Sequence, residues 1–284
     1  MARIAFLGTG LLGAAFAEAA ARRGDTVTAW NRTPAKALAL APFGITAAPT
    51  PADAVRGASR VHLVLRDDAA VEAVLAAARP GLAADAMVLD HTTTLPALTA
   101  ARAGRSHSQG VNYLHCPVFM GPAAAREAAG SMLVAGPRAL FDRVRADLAP
   151  MTAKLDYLGE RADLAAVHKL LGNAMIIGLV GIVADVLALA RANGVGNDEA
   201  LARLRQFDLD AMLARRGGNM VRGEFDASFE LAMARKDVGL MVEATGAAPL
   251  ATLPSLAARM DALIAAGHGA RDVCALGIDS VRPA

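Results

Sequence analysis

Six residues near the N-terminus, Gly8-Thr9-Gly10-Leu11-Leu12-Gly13, constrain the fold more than any other part of the chain. They fit G-x-G-x-x-G, a pattern that is common alone and informative only in context. Here an apolar strand candidate (2–7) runs into the first glycine. A helix candidate (11–23) opens inside the pattern and stops at Gly24, and a β-rich run (26–30) ends about 17 residues after the last glycine. In that setting Gly8 permits a tight turn, Gly10 leaves room for a pyrophosphate and Gly13 lets the helix approach the sheet. The helix N-terminus adds free N–H groups and a positive dipole end. Gly8, Thr9, Gly10, Leu11, Leu12 and Gly13 are therefore read as a dinucleotide cradle, with a purely structural turn as the alternative.

The strand–helix alternation continues. Residues 34–41 read as helix, with Pro34 at a favoured first-turn position. Runs 60–65 and 87–90 read as strands, followed by helical stretches over 68–77 and 95–103. Two more strand candidates, 131–135 and 155–158, flank a helical stretch over 137–148. This pace predicts an α/β fold with a mostly parallel sheet covered on both faces. From residue 163 onward no segment reads as a strand. A proline-free helix is expected over 163–192, with Asn193-Gly194 as its stop signal, and further helices over 197–206, 208–215, 230–245 and 256–266. The expected organisation is a Rossmann dinucleotide-binding domain over 1–161. An all-α domain for substrate and dimerisation follows over 162–284, entered by the long helix.

Composition narrows the function. Hydrophobic residues make up 55% and charged residues 20%, which excludes a disordered chain. Aromatics are 4% and the cations are scattered, so no nucleic-acid partner is expected. Cys116 and Cys274 lie far apart without ligand partners, so neither a disulfide framework nor a metal site is expected. The mean hydropathy of +0.37 raises the question of a membrane span. The most apolar stretch (170–184) is shorter than the ~18 residues that suggest one, and Asn173 and three glycines interrupt it. It is read as a helix buried nearly all round inside a protein. Arg3 leads straight into a strand pattern, unlike a signal peptide. A cytoplasmic location and no membrane partner are expected.

The second strand ends in Asn31-Arg32-Thr33. An NAD site is expected to place a carboxylate there for the ribose 2′-hydroxyl. A neutral amide, a guanidinium and a hydroxyl suit a 2′-phosphate instead, so NADP(H) is favoured over NAD(H). The alternative is that Asn31-Arg32-Thr33-Pro34 merely caps the next helix. Leu65, at the end of the 60–65 strand, is counted among the cofactor contacts.

With these residues in view the chain resembles the β-hydroxyacid dehydrogenases, which include 3-hydroxyisobutyrate dehydrogenases and, more distantly, 6-phosphogluconate dehydrogenase. Four motifs in family order carry the resemblance over nearly the whole chain. The first is the glycine turn with Asn31-Arg32-Thr33. The second is Asp90-His91-Thr92-Thr93-Thr94-Leu95-Pro96, similar to D-x-S-T-x-x-P with Thr92 in place of serine. The match implies that Thr93 lies beside the nicotinamide end of the cofactor. The third, His115-Cys116-Pro117-Val118-Phe119-Met120-Gly121, resembles the substrate loop D-A-P-V-S-G-G. Pro117, Val118 and Gly121 match, and Phe119 and Met120 replace a hydroxyl and a glycine with apolar bulk. Downstream, Ala125 and Gly130-Ser131-Met132-Leu133 agree with the family. The fourth is the catalytic helix, G-x-G-x-x-x-K-x-x-x-N, where Lys169 and Asn173 match and the glycine pair is lost. Lys236-Asp237-Val238-Gly239-Leu240 further resembles K-D-L-x-L, whose lysine lies over the cofactor.

The resemblance implies an NADP-dependent oxidoreductase that moves hydride between the cofactor and a small hydroxy acid, aldehyde or related carbonyl. Lys169 is then the general acid and base, and Asn173 orients substrate or lysine. Phe119, Met120, Gly121 and Asn173 are the expected substrate contacts, and Lys236 a further cofactor contact. Lys169 and Asn173 are four apart and share a helical face. The rival readings are a snorkelling lysine at 169, His168 as the acid, and a solvated charge pair at Lys236-Asp237. Imine reductases share this fold and cofactor preference but usually carry Asp or Tyr at the Lys169 position. A non-catalytic NADPH sensor or scaffold is the other alternative. The partners expected are a small-molecule substrate and a second copy in a homodimer packed through its helical domains, with a tetramer as the larger option.

Overall fold

The computed structural model describes residues 2–281. Six strands, β1 (Arg3–Leu7), β2 (Thr26–Trp30), β3 (Thr46–Ala47), β4 (Arg60–Leu63), β5 (Met87–Asp90) and β6 (Asn112–His115), form one sheet in the order 3-2-1-4-5-6. Every pairing in it is parallel. Between the strands run α1 (Leu11–Arg22), α2 (Pro34–Leu38), α3 (Pro51–Val55), α4 (Asp68–Ala78) and α5 (Pro96–Ser108). Parallel strands need such crossovers, and the crossovers cover both faces. Alternate residues of β1 show it. Ile4 and Phe6 pack in one apolar cluster with Phe16 of α1, while Ala5 and Leu7 pack in another with Val71 and Val74 of α4. This strand order reverses direction between β1 and β4, and ligands of open α/β sheets bind in the crevice at such a point.

The two later strand candidates do not extend this sheet. With β7 (Val118–Phe119), the strands β8 (Ser131–Val134) and β9 (Lys154–Tyr157) make a separate three-stranded sheet. Its β7–β8 pair is antiparallel and its β8–β9 pair parallel. The helices α6 (Pro122–Arg126) and α7 (Arg138–Leu148) belong to this region. The strands β3, β6 and β7 and the short α3 and α6 carry no sequence expectation above. They are two to five residues long, too short for periodicity to register.

The helix α8 (Leu164–Ala192) is followed by α9 (Asn197–Leu204), α10 (Leu209–Met212), α11 (Gly218–Arg222), α12 (Leu231–Thr245) and α13 (Leu253–Leu263). The single helix expected over 208–215 is instead α10, a π-turn over Leu213–Gly217, and α11. The chain divides into two compact units between Asn173 and Ala174, inside α8. That point lies twelve residues beyond the boundary expected after residue 161. In the second unit Leu231, Ala234 and Val238 of α12 meet Leu253, Met260 and Leu263 of α13 in one core. Asp185 of α8 caps that arrangement. It accepts the N–H groups of Ala251, Thr252 and Leu253 and the Thr252 hydroxyl at 2.6–2.9 Å. Burial opposes its charge, but these four donors hold its carboxyl at about 2.

One expectation fails outright. The apolar stretch at 170–184 is not buried nearly all round. It is part of a 29-residue helix whose best 18-residue window has mean hydropathy 2.2 and is only 11% buried in the single chain. By length and composition alone α8 is long and apolar enough to cross a membrane. Leu171, Met175, Ile176, Ile177 and Val180 are each at least half exposed.

Candidate active site

The glycine turn has the geometry that its spacing implies. Gly8 follows β1 at φ +100, and a Cβ there would lie 2.3 Å from the Val64 carbonyl oxygen. A Cβ on Gly13 would lie 2.1 Å from the Gly8 carbonyl oxygen. Both positions exclude any side chain by contact with backbone. Gly10 differs: a Cβ there meets nothing within 4 Å. It opens α1 without a side-chain cap, and the first turn holds no acid. The first N–H groups of the helix are thus left for a ligand, over space that a larger residue would fill. That cradle fits a pyrophosphate.

A cleft of about 590 Å³ opens at this end of the first unit. It brings together Gly8, Gly10, Leu11, Leu12, Gly13, Asn31, Arg32, Thr33, Leu65 and Thr93. Thr9 stands apart. It is 4% exposed, off the cleft wall, and its hydroxyl is buried without a partner among the described residues. Asn31 is spent on the turn itself. Its Oδ1 accepts the Thr9 N–H at 3.1 Å and its Nδ2 donates to the Thr33 carbonyl at 3.0 Å. Thr33 occupies the N-cap of α2, yet its hydroxyl makes no capping bond. The free donors of the trio are therefore the exposed Arg32 and Thr33. Two further cations line the cleft, Lys36 and Arg66. Sequence reasoning missed both, although Lys36 lies on α2, the helix after β2, and Arg66 lies three residues past the end of β4. Arg66 pairs with Asp67 at 2.6 Å.

The wall beyond Leu65 is built from the loop after β5. The Leu65 N–H donates to Thr92 Oγ1 at 3.1 Å, and the Thr92 N–H donates to Asp90 Oδ1 at 3.0 Å. Thr93 is half-buried on the cleft wall, and its hydroxyl has no hydrogen-bond partner among the described residues. Asp90 is fully buried and accepts from Tyr113 Oη at 2.7 Å, with the equally buried Arg102 guanidinium 3.6 Å away. Burial, then the Asp90 charge, pushes the Tyr113 phenol well above its ordinary range. Burial works against the Arg102 charge, but Tyr113, Asp68 and Asp90 more than offset it.

Three histidines are buried beside this loop: His62, His91 and His115. Burial lowers all three, His62 well below 6.5 and His91 to about 4. A depressed histidine is neutral when folded, so the unfolded chain takes up protons first as pH falls. The stability that His91 contributes is complete above pH 6.5 and lost as pH falls toward about 4. Each histidine so held costs up to about 1.4 kcal/mol per pH unit across its window. The thermal midpoint should fall steadily from about pH 7 to about pH 5. A midpoint that stays flat in that range would show that these imidazoles are not held neutral.

Lys169 lies one turn into α8, still within the first unit. Its Nζ donates to the Val118 carbonyl at 2.7 Å and sits 4.1 Å from the Phe119 ring centroid. The same ring lies on Gly172, where a Cβ would come within 2.3 Å of Phe119 Cζ. The Phe119 ring thus lies against α8 beside Lys169, and a side chain at position 172 would push it away. Burial lowers the Lys169 ammonium below its ordinary 10.5. Asn173 follows one turn later, half-buried and without a side-chain partner among the described residues. Met120 and Gly121 continue directly from Phe119. In the second unit Lys236 lies on α12, half-exposed and paired with Asp237 at 2.9 Å. Neither Lys169 nor Phe119 lines the 590 Å³ cleft.

The NAD binding domain of 6-phosphogluconate dehydrogenase matches residues 3–159. An uncharacterized oxidoreductase of Shewanella frigidimarina is 27% identical over 248 residues, which cover 86% of this chain and 85% of that protein. The reductive aminase of Aspergillus terreus, solved in complex with NADPH4, cyclohexanone and allyl amine, is 28% identical. It superposes with a TM-score of 0.88 over 99% of this chain and 100% of its own. The cytokine-like nuclear factor N-PAC of Homo sapiens is 28% identical over 251 residues. These cover 84% of this chain and 44% of N-PAC, so the chain spans less than half of that relative.

Proposed function

This chain belongs to the family that carries the NAD binding domain of 6-phosphogluconate dehydrogenase and is an NAD(P)-dependent oxidoreductase; we propose that it is an NADPH-dependent reductase of a small carbonyl compound, or the reverse dehydrogenase, with Lys169 as general acid and base. The observation that carries this reading is the Lys169 ammonium, partly desolvated, aimed along the loop that holds Phe119, and pushed below its ordinary range. A general acid works best when its pKa approaches the working pH.

Bound nicotinamide supplies or removes the hydride. The chain provides the rest. The free N–H groups at the start of α1 would hold the pyrophosphate of a bound cofactor, and Arg32 and Thr33 would be the donors toward its adenosine ribose. Thr93, on the same cleft wall, would lie by the nicotinamide end. In reduction the carbonyl carbon takes the hydride and Lys169 gives its proton to the oxygen. The neutral amine then recovers a proton from solvent. In oxidation the neutral amine takes the hydroxyl proton. Asn173 orients the substrate with its two amide ends.

The preference for NADPH rests on Arg32, a guanidinium without an ion pair among the described residues, with no carboxylate at Asn31 to repel a phosphate. Calorimetry should show NADPH binding at least about tenfold tighter than NADH, from one charge-assisted contact. Arg32→Ala should weaken NADPH far more than NADH. Equal affinities in the unaltered protein would count against the assignment.

A second reading, reduction of an imine, is favoured by the full-length likeness to the reductive aminase and by the apolar Phe119. Lys169 stands against it, because imine reductases usually carry Asp or Tyr there. NADPH oxidation against a panel of aldehydes, keto acids and cyclic imines separates the two. Tight NADPH binding without turnover on any of them would favour a sensor or scaffold instead.

The exposed apolar face of α8 is proposed to pack against a second copy, making a homodimer. Exposed apolar surface of this extent marks an interaction site. Light scattering should return about twice the chain mass, and Ile177→Glu should return the monomer. A monomeric unaltered protein would refute the assembly.

A further inference from the structure

The buried histidines have no part in the hydride transfer proposed above, yet their bonds run to both halves of the site. His91 follows β5, and its Nδ1 lies 2.7 Å from the carbonyl of Cys116, just beyond β6. His115 ends β6, and its Nε2 lies 2.8 Å from the carbonyl of Thr92, just beyond β5. Each strand end thus reaches across to the backbone of the other. A carbonyl oxygen carries no proton, so both imidazole nitrogens must donate. One tied segment leads into Thr93, on the cofactor cleft. The other leads through Pro117 to Val118, whose carbonyl receives the Lys169 ammonium.

His62 fixes the arrangement from below. Its Nδ1 is 2.9 Å from His91 Nε2, with the two ring planes only 9° apart. A neutral His91 that donates from Nδ1 has a bare Nε2, so His62 must donate from Nδ1 in turn. That leaves His62 Nε2 as an acceptor. His62 lines a small cavity of about 160 Å³ with Arg23, Asp25, Arg60 and Asp147. The guanidiniums there oppose any further proton on the pair. Phe6 stacks on His62 at 4.6 Å and Phe16 lies tilted against His91 at 5.4 Å, so both imidazoles pack against aromatic neighbours. The proton positions are set in one direction from His62 through His91 to the Cys116 carbonyl.

We propose that His91 and His115 are positioning residues that cross-tie the cofactor wall to the loop holding Lys169, with His62 donating to the bare Nε2 of His91 and so supporting the tautomer that the Cys116 carbonyl requires. The role rests on the assignment of Lys169 as the acid. The chain of imidazoles is not a proton path, because it ends at a carbonyl that cannot pass a proton on. It fixes distance: the Thr93 segment and the Val118 carbonyl cannot drift apart while both bonds stand.

The test has two arms. In the unaltered protein, NMR of labelled imidazole nitrogens at neutral pH should show His62 and His91 protonated at Nδ1 and His115 at Nε2. This arm needs no substrate, so it stands even where the assigned reaction fails. In the second arm, with whichever substrate turns over, His115→Leu should lower kcat about 10–100-fold, the scale of an ångström misplacement near a reacting centre. NADPH affinity should move less than about threefold. His115→Gln keeps a donor near the Nε2 position and should restore most of kcat, and His91→Asn should do so relative to His91→Leu. An Nε2-protonated His91 would overturn the proposal. So would a folded His115→Leu variant with unchanged kcat, or a loss confined to NADPH affinity. Where the leucine variants do not fold, the imidazole protonation and the glutamine and asparagine variants decide it.

Discussion

Replacing Lys169 with alanine is expected to cut turnover by roughly 10²–10⁴-fold, the range for one positioned general acid–base group. NADPH affinity should hardly change, because the pyrophosphate cradle lies at Gly8–Gly13 and Lys169 is not part of that cleft. Lys169→Arg should not rescue the rate. A guanidinium stays charged through neutral pH and yields its proton poorly. His168→Ala should be mild, since its side chain leaves the helix about 100° from that of Lys169 and is exposed. Steady-state rates on the three variants decide the matter. Near-full rate in Lys169→Ala with a dead His168→Ala would move the proton to the imidazole.

The second large effect concerns what the site accepts. Phe119 stands where the family's loop offers a hydroxyl for a substrate carboxylate, and its ring lies over Gly172 beside Lys169. The unaltered protein should therefore turn over 3-hydroxyisobutyrate weakly or not at all. Phe119→Ser combined with Met120→Gly should raise kcat/KM on small hydroxy acids by about 10–100-fold, because a site that hydrogen-bonds its substrate discriminates strongly. The ring also floors the lysine, so the double variant should be slower on apolar carbonyls. Kinetics on both substrate classes provide the check. Activity of the unaltered protein on 3-hydroxyisobutyrate at the level of dedicated enzymes would refute this account of the loop.

Much of this was legible in the chain itself, for physical reasons. A Cβ on Gly8 or Gly13 would lie 2.3 or 2.1 Å from a backbone oxygen, so the spacing of the glycines carries the geometry of the turn directly. The strands β2 and β5 begin and end where expected because they are apolar or β-branched and bounded by polar turns. Other features depend on partners far along the chain. The tie between His91 and Cys116 needs β5 beside β6 in register, with Asp90 opposite His115. No local pattern announces a four-residue strand reading Asn-Tyr-Leu-His. The bond from Lys169 to Val118 spans 51 residues, and the fit of Gly172 under Phe119 follows only from that approach. The exposure of α8 was misjudged because apolarity reports what a helix avoids, not whether the same chain covers it.

The most direct measurement is the pH dependence of kcat/KM for carbonyl reduction, in the unaltered protein and in Lys169→Ala. Reduction requires the ammonium, so the rate should fall as pH rises through the lowered Lys169 pKa. That limb should be absent from the residual activity of the alanine variant. The account predicts a descending alkaline limb in the one and none in the other. The same limb in both would show that Lys169 is not the group that delivers the proton.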